Sequence, residues 1–198
     1  MNQKKKLYGK ILLPTALAAA LLSLTACGSG DSNNASTIAS ITNESSAVST
    51  VNGEVPYTFF DDAVFVGDSV SLKLNLYVSA QRKNDNAFMG TAQFLTPGSY
   101  GTGNELKELG SDNSVHPSYN GTEMYLADAI EAMGAKKVFI MLGMNDIAVY
   151  GNDGAVKNME TVLAQIKEKN PDTTIYVQSM TPIVGTAQTG SLTNENLN

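Results

Sequence analysis

The sequence has a single cysteine, Cys27, and a single histidine, His116. With only one thiol, no disulfide can form within the chain. Basic residues are also few: 13 Lys and Arg stand against 19 Asp and Glu, which gives a net charge of -6. Outside the extreme N-terminus no stripe of Lys and Arg occurs, which argues against a nucleic-acid partner.

Long apolar runs are absent except in residues 11–26, which follow a lysine-rich head. This run is short for a membrane span and ends in small residues, so it predicts a secretory signal. Cys27 comes directly after Leu-Thr-Ala, which resembles the signal of bacterial lipoproteins. The resemblance implies that Cys27 is lipidated and that acyl chains hold the protein on the extracytoplasmic face of the cell membrane. The alternatives are an uncleaved anchor and an incidental free cysteine.

Composition divides the chain into three parts. Residues 1–27 form the predicted signal peptide, and residues 28–55, rich in Ser, Thr, Asn and Gly, form a flexible linker. Residues 56–198 form the predicted globular domain, because apolar segments with regular spacing begin near Pro56.

Strand and helix patterns alternate along this domain. Residues 70–80 are ambiguous, because their apolar residues alternate as in a strand. However, Gly-Asp-Ser would make a poor hairpin turn after a preceding strand, so we favour a helix capped by Asp68 or Ser69. The other predicted strands are Ala63–Val66, Ala87–Leu95, Lys137–Leu142 and Thr174–Gln178.

Two further helices are predicted. Thr122–Met133 is amphipathic and ends at Gly134, and a second helix carries an apolar stripe and ends before Pro171. The stripe consists of Val156, Met159, Leu163 and Ile166. The alternation of strands and helices predicts an α/β fold with a mostly parallel sheet.

Three polar or glycine-rich segments follow predicted strands: residues 67–69, 98–103 and 143–146. The carboxyl ends of parallel strands share one edge of a sheet, so these segments should meet there. A hydroxyl, glycine backbone N–H groups and an amide suit acyl transfer, which needs a nucleophile and donors to an anionic oxygen. Ser69 could instead be only a helix cap, and Asn145-Asp146 only a turn. A nucleotide loop is disfavoured, because no GK[ST] follows the glycines and no helix clearly opens on them.

The motifs FVGDSVS, GSYG and GMND resemble the three leading blocks of the SGNH hydrolases, or GDSL-type esterases, over roughly residues 60–185. The resemblance implies a three-layer, flavodoxin-like α/β fold and hydrolysis of small acyl esters, such as acetyl groups on cell-envelope carbohydrate, without metal or cofactor. Ser69 would be the nucleophile, with Gly101 and Asn145 as oxyanion donors. Asp68, Gly98 and Asp146 would border the substrate, the two aspartates also shaping their turns.

One part of the family pattern is missing. The Asp-x-x-His block that carries the general base does not occur in this sequence, so the last helix and strand of the fold are expected to be absent and activity weak. Thr174–Gln178 would then be an exposed edge strand. His116 could replace the base, line the cleft or be a plain loop residue. The competing function is a non-catalytic surface lipoprotein that binds carbohydrate in the same cleft.

Overall fold

A computed structural model describes residues 54–197 of the chain. The predicted signal peptide, its Cys27 and nearly all of the 28–55 linker lie outside the described residues. Within the described part, no helix has both the length and the apolar character that a membrane crossing requires.

Strands and helices alternate along most of the domain. In chain order the elements are β1 (Ala63–Gly67), α1 (Ser69–Gln81), β2 (Gln93–Leu95), α2 (Thr102–Glu105), β3 (Ser118–Tyr119), β4 (Thr122–Glu123), α3 (Leu126–Met133), β5 (Lys137–Met141), α4 (Met144–Lys169) and β6 (Thr174–Val177). Short 3₁₀ turns lie at Tyr57–Phe60 and Gly185–Ala187.

The central sheet has four parallel strands in the order β2-β1-β5-β6. Numbered among themselves along the chain, these strands run 2-1-3-4, which is the flavodoxin-like order. The predicted α/β class with a parallel sheet is therefore confirmed. In the described part of the chain β6 pairs only with β5, so it is an edge strand, as predicted.

The two faces of the sheet have different cores. On one face Val64 and Val66 pack with residues of α3 and α4, including Ile130 and Ile166. The other face carries four aromatic rings stacked across neighbouring strands, with centroid distances of 5.3, 4.7 and 4.6 Å. In spatial order these are Phe94, Phe65, Phe139 and Tyr176. Cross-strand aromatic pairs fix the register of neighbouring strands.

The helix favoured for residues 70–80 is confirmed as α1, and Asp68 caps it. Its alternating leucines do not mark a buried face: Leu76 is 62% exposed, whereas Val78 is fully buried. The strand-like alternation therefore says little about which side of this segment is buried.

The strand predicted over Ala87–Leu95 is wrong before Gln93. Met89 and Gly90 have φ values of 56° and 54°, which a strand does not allow. The Arg82 guanidinium also donates to the carbonyl oxygens of residues 88, 90 and 92 at 2.9–3.0 Å. These carbonyls turn toward one cation, so the segment forms turns rather than extended chain.

The helix predicted from Thr122 begins four residues later, at Leu126. The preceding residues form the small antiparallel hairpin of β3 and β4, with Asn120 and Gly121 at its turn. Both turn residues have positive φ, 51° and 79°, as a tight type I′ turn requires. The predicted end at Gly134 is confirmed, with φ of 64°.

The last helix is longer than its apolar stripe predicted. α4 begins at Met144, two residues beyond the loop residue Leu142 that follows β5, and bends at Gly151, where φ is 66° and ψ is -178°. That backbone region is essentially restricted to glycine. Val156 of the predicted apolar stripe is 58% exposed, whereas Val162, which was not assigned to the stripe, is buried.

Candidate active site

Three loops meet at the carboxyl edge of the sheet. Gly67 at the end of β1 pairs in register with Met141 of β5, and Val66 pairs with Leu95 of β2. The segments that follow these strands therefore start side by side. Hydrogen bonds from Asn145 to Asp68 and to Tyr100 join the three loops. The predicted convergence of the three loops is thus what the structure shows.

The turn between β1 and α1 presents Ser69 to solvent. A β-carbon at Gly67 would lie 2.0 Å from Ser71 Oγ, so only glycine allows the first turn of α1 to pack so closely on β1. Asp68 is buried, and its Oδ1 accepts a hydrogen bond of 2.8 Å from the Val70 N–H. Ser69 is the first residue of α1 and is exposed, at a helix N-terminus that favours negative charge.

The amide of Asn145 is already engaged within the protein. Its Nδ2 donates to the carbonyl oxygen of Tyr100 at 2.8 Å and to Asp68 Oδ2 at 3.3 Å. An amide nitrogen has two hydrogens, so both are directed at protein acceptors. The N–H of Gly101 belongs to the same trans peptide as that carbonyl and points to its opposite side. Asn145 and Gly101 therefore do not yet face one common point.

Asp146 ties the glycine loop to the start of α4. It is 2% exposed, and its two carboxylate oxygens accept hydrogen bonds from the N–H groups of Thr102 at 3.0 Å and Gly103 at 2.7 Å. These contacts give Asp146 a positioning role, with no free oxygen turned to a substrate. Thr102 and Gly103 are the first two residues of α2, and Gly101 is its N-cap, so a short helix does open on the glycine loop, contrary to the prediction.

Gly98, which was predicted to border the substrate, is exposed and lies in a turn. A β-carbon there would meet no atom within 4 Å. Nothing in its surroundings therefore requires glycine. This contrasts with Gly67 and with Gly101, where a β-carbon would lie 2.8 Å from Asp146 Oδ2.

Burial dominates the electrostatics of the Asp68 carboxyl. Desolvation raises the pKa of Asp68, and the nearby negative charge of Asp146 acts in the same direction. Hydrogen bonds from the backbone N–H groups of Val70 and Ser71 oppose this rise by stabilising the carboxylate.

His116 lies in a buried polar cluster. Its side chain is 0% exposed, and its Nδ1 stands 3.4 Å from Glu105 Oε2, without an aligned hydrogen bond. The ring meets Tyr125 edge-on at 5.2 Å. Because the ring is enclosed, His116 does not line an open cleft. Within residues 54–197, no three His, Cys, Asp or Glu side chains are grouped so that they could hold a metal ion.

Glu105 is a buried polar residue of this region that no sequence motif includes. Its Oε2 accepts a hydrogen bond of 2.7 Å from the Tyr100 hydroxyl, and its Oε1 accepts one of 2.6 Å from the N–H of Leu126. Burial raises the pKa of Glu105, while these two donors and His116 oppose the rise. A single Glu at the end of a four-residue helix gives no periodic signal, so no sequence pattern marks it as buried.

Two cavities differ in their relation to Ser69. A small one of about 10 Å³ is lined by Asp68 and Val70, the residues on either side of Ser69, together with Met141, Met144, Met180 and Thr181. A larger one of about 400 Å³ lies between α3 and α4, with Glu105, Tyr125 and Lys169 among its lining residues. Only the small cavity adjoins the exposed serine.

No protein-family model and no curated protein sequence matches the chain. Solved structures that are similar to the chain at a low level include the following two. One is a Streptococcus pneumoniae protein provisionally described as a platelet activating factor: 18% identity, TM-score 0.40, over 64% of this chain and 49% of that one. The other is an active-site mutant of a family 2 carbohydrate esterase from Clostridium thermocellum, in complex with cellohexaose: 15% identity, TM-score 0.41, over 63% and 44%. The chain therefore spans half or less of either structure.

Proposed function

We propose that the domain is a serine ester hydrolase of the SGNH type that acts on small acyl esters. The observation that carries this proposal is the exposed Ser69 at the N-terminus of α1, next to an Asp68 that hydrogen-bonds to Asn145. Ser69 Oγ attacks the ester carbonyl carbon and the alcohol leaves with a proton. Water then hydrolyses the acyl-Ser69 ester and releases the acid.

Stabilising the anionic intermediate requires a rearrangement of Asn145. One hydrogen of its amide must leave either Tyr100 or Asp68 and turn to the reacting oxygen. The bond to Asp68 is 3.3 Å long, beyond the usual 2.7–3.2 Å, so we infer that it opens first. The backbone N–H groups of Ser69 and Gly101 are the further donors in this proposal.

The reaction also needs a base for the Ser69 hydroxyl. His116 is the only histidine of the chain, and its ring is fully enclosed against Glu105. We therefore expect slow turnover by this chain and acceleration by added imidazole, a small base that can enter an open site.

The surroundings of Ser69 support a short acyl group. The adjoining cavity has a volume of about 10 Å³, and three of its lining residues are methionines. An acetyl methyl group is the kind of acyl tail that such a space favours. A lipidated Cys27 would hold the domain at the outer face of the membrane, and acetylated envelope carbohydrate is the substrate that we propose there.

A serine-reactive fluorophosphonate probe tests the proposal. With imidazole added as the base, we expect labelling of the unsubstituted chain, no labelling of Ser69→Ala, and normal labelling of Ser79→Ala, which removes another exposed serine of α1. Hydrolysis of p-nitrophenyl acetate with added imidazole should show the same dependence. Absence of Ser69-dependent labelling and hydrolysis would refute the esterase and leave the carbohydrate-binding alternative.

A further inference from the structure

We propose that Glu105 is a positioning residue for Asn145 and that it acts through Tyr100. The inference rests on the proposed function, in which Asn145 donates to the reacting oxygen. None of the motifs of the chain includes Glu105, and it lies 40 residues before Asn145 in the sequence.

Glu105 joins two separate parts of the domain. One carboxylate oxygen accepts from the Tyr100 hydroxyl at 2.7 Å, and the other accepts from the N–H of Leu126, the first residue of α3, at 2.6 Å. α3 packs into the main core of the sheet. The carboxylate therefore fixes the Tyr100 ring to a rigid element rather than to another loop.

Tyr100 carries this constraint to Asn145. Its ring end is held by Glu105, and its backbone carbonyl oxygen accepts the 2.8 Å hydrogen bond from Asn145 Nδ2. The side chain is 0% exposed, so it has no freedom to swing into solvent. The same peptide bears the Gly101 N–H, so one anchored residue sets the orientation of both proposed donors.

Burying the polar cluster of Glu105, Tyr100 and His116 costs free energy. Glu105 is 3% exposed, and its burial disfavours the charged form, as the raised pKa of its carboxyl reflects. His116 lies 3.4 Å away, and neither of its ring nitrogens has a hydrogen-bond partner among the described residues. An apolar contact could hold a loop against α3 without such a group. A carboxylate that binds one hydroxyl and one N–H sets the angle of the tyrosine as well.

The first test observes the Asn145 side-chain amide by ¹⁵N NMR in the full chain, with the signal assigned by its loss in Asn145→Asp. Tyr100→Phe deletes only the hydroxyl that Glu105 accepts. Thr102→Val is the matched control, because the Thr102 hydroxyl is buried two residues after Tyr100 and has no hydrogen-bond partner within residues 54–197. We expect shifted, faster-exchanging amide signals in Tyr100→Phe and unchanged signals in Thr102→Val. Unchanged signals in both variants would overturn the inference.

The second test uses imidazole-supported hydrolysis of p-nitrophenyl acetate. Tyr100→Phe should lower kcat by about tenfold at unchanged KM, less than the ~10²–10³ that loss of a whole oxyanion donor costs. Thr102→Val should leave both constants unchanged. Normal kcat in Tyr100→Phe would refute the positioning role. Lack of any Ser69-dependent turnover would refute the proposed function only, since the NMR comparison needs no catalysis.

Discussion

Gly101 lies directly against the carboxylate of Asp146. A β-carbon at residue 101 would stand 2.8 and 2.9 Å from the two carboxylate oxygens. The same oxygens accept the N–H groups of Thr102 and Gly103, so they cannot move aside without losing those hydrogen bonds. The close approach of the glycine loop to α4 therefore depends on the absence of a side chain at this position.

Gly101→Ala should destabilise the domain. Overpacking of a close contact typically costs about 1–3 kcal/mol, and here it also separates Asp146 from its donors. Urea unfolding of the two proteins measures the difference. Gly98→Ala is the control in the same loop, because a β-carbon there meets nothing within 4 Å. Equal losses in both variants would contradict the role assigned to Asp146.

Asp146→Asn should also destabilise the domain, by a different mechanism. An amide offers one oxygen where the carboxylate offers two, so one of the N–H groups of Thr102 and Gly103 loses its acceptor. A buried donor left unpaired costs about 1–3 kcal/mol. Thermal unfolding measures the loss, and Asp153→Asn, an exposed position on α4, should be neutral. Unchanged thermal stability of Asp146→Asn would contradict this expectation and would show that water replaces the lost carboxylate oxygen.

Stability should depend on pH through Glu105. Burial raises the pKa of this carboxyl above its ordinary value of 4.5, so the folded protein holds the proton more tightly than the unfolded chain does. The resulting stabilisation is complete below the unfolded pKa and is lost as pH rises through the raised folded pKa. Glu105→Gln abolishes it. The stability advantage of the unsubstituted protein over this variant should therefore grow as pH is lowered from neutral, and a constant or shrinking advantage would refute the assignment.

Arg82→Lys should loosen residues 85–92. The guanidinium donates to several carbonyl oxygens of this segment at once, and an ammonium group cannot reproduce that planar arrangement. We expect faster amide hydrogen exchange in the segment and a loss of about 1–3 kcal/mol. Lys83→Gln, a substitution at the exposed neighbouring position, should change neither. Unaltered amide exchange in Arg82→Lys would mean that the turns are stable without the hydrogen bonds of the guanidinium.

Met180→Ala should widen the range of acyl groups, provided that the proposed function holds. Met180 lines the small cavity beside Ser69, and its sulfur lies 3.0 Å from where a β-carbon on Gly143 would stand. Removing this side chain should raise the kcat/KM ratio of p-nitrophenyl hexanoate to acetate. Met159→Ala, on the core side of α4, is a control for general loosening. An equal rise of the ratio in both variants would count against an acyl pocket.

The sheet was predictable because its strands carry local signals. β1 and β5 are short apolar runs bounded by glycine or charge, and the motifs follow them directly. The glycine at the end of α3 is likewise a local rule of helix termination. In each case the determinants lie within a few residues of the element that they specify.

The missed features depend on contacts that no periodic pattern of the sequence records. The turns of residues 85–92 follow from Arg82, and the hairpin before α3 is too short to give a periodic signal. The buried role of Glu105 depends on Tyr100 and Leu126, which meet it only after folding. The motifs identified Asn145, but they could not show that its amide is already engaged by Tyr100 and Asp68.

The bend at Gly151 divides α4 into two parts with separate tasks. The part before it carries Asn145 and Asp146 to the loops, whereas the part after it packs Val162 and Ile166 into the core. Gly151 interrupts the regular helical backbone in a conformation that only glycine suits. The direction of the first part is therefore not fixed by the direction of the second. Substitutions that reshape the first part can therefore accumulate over evolutionary time without repacking the second, so new specificities can arise on an unchanged scaffold.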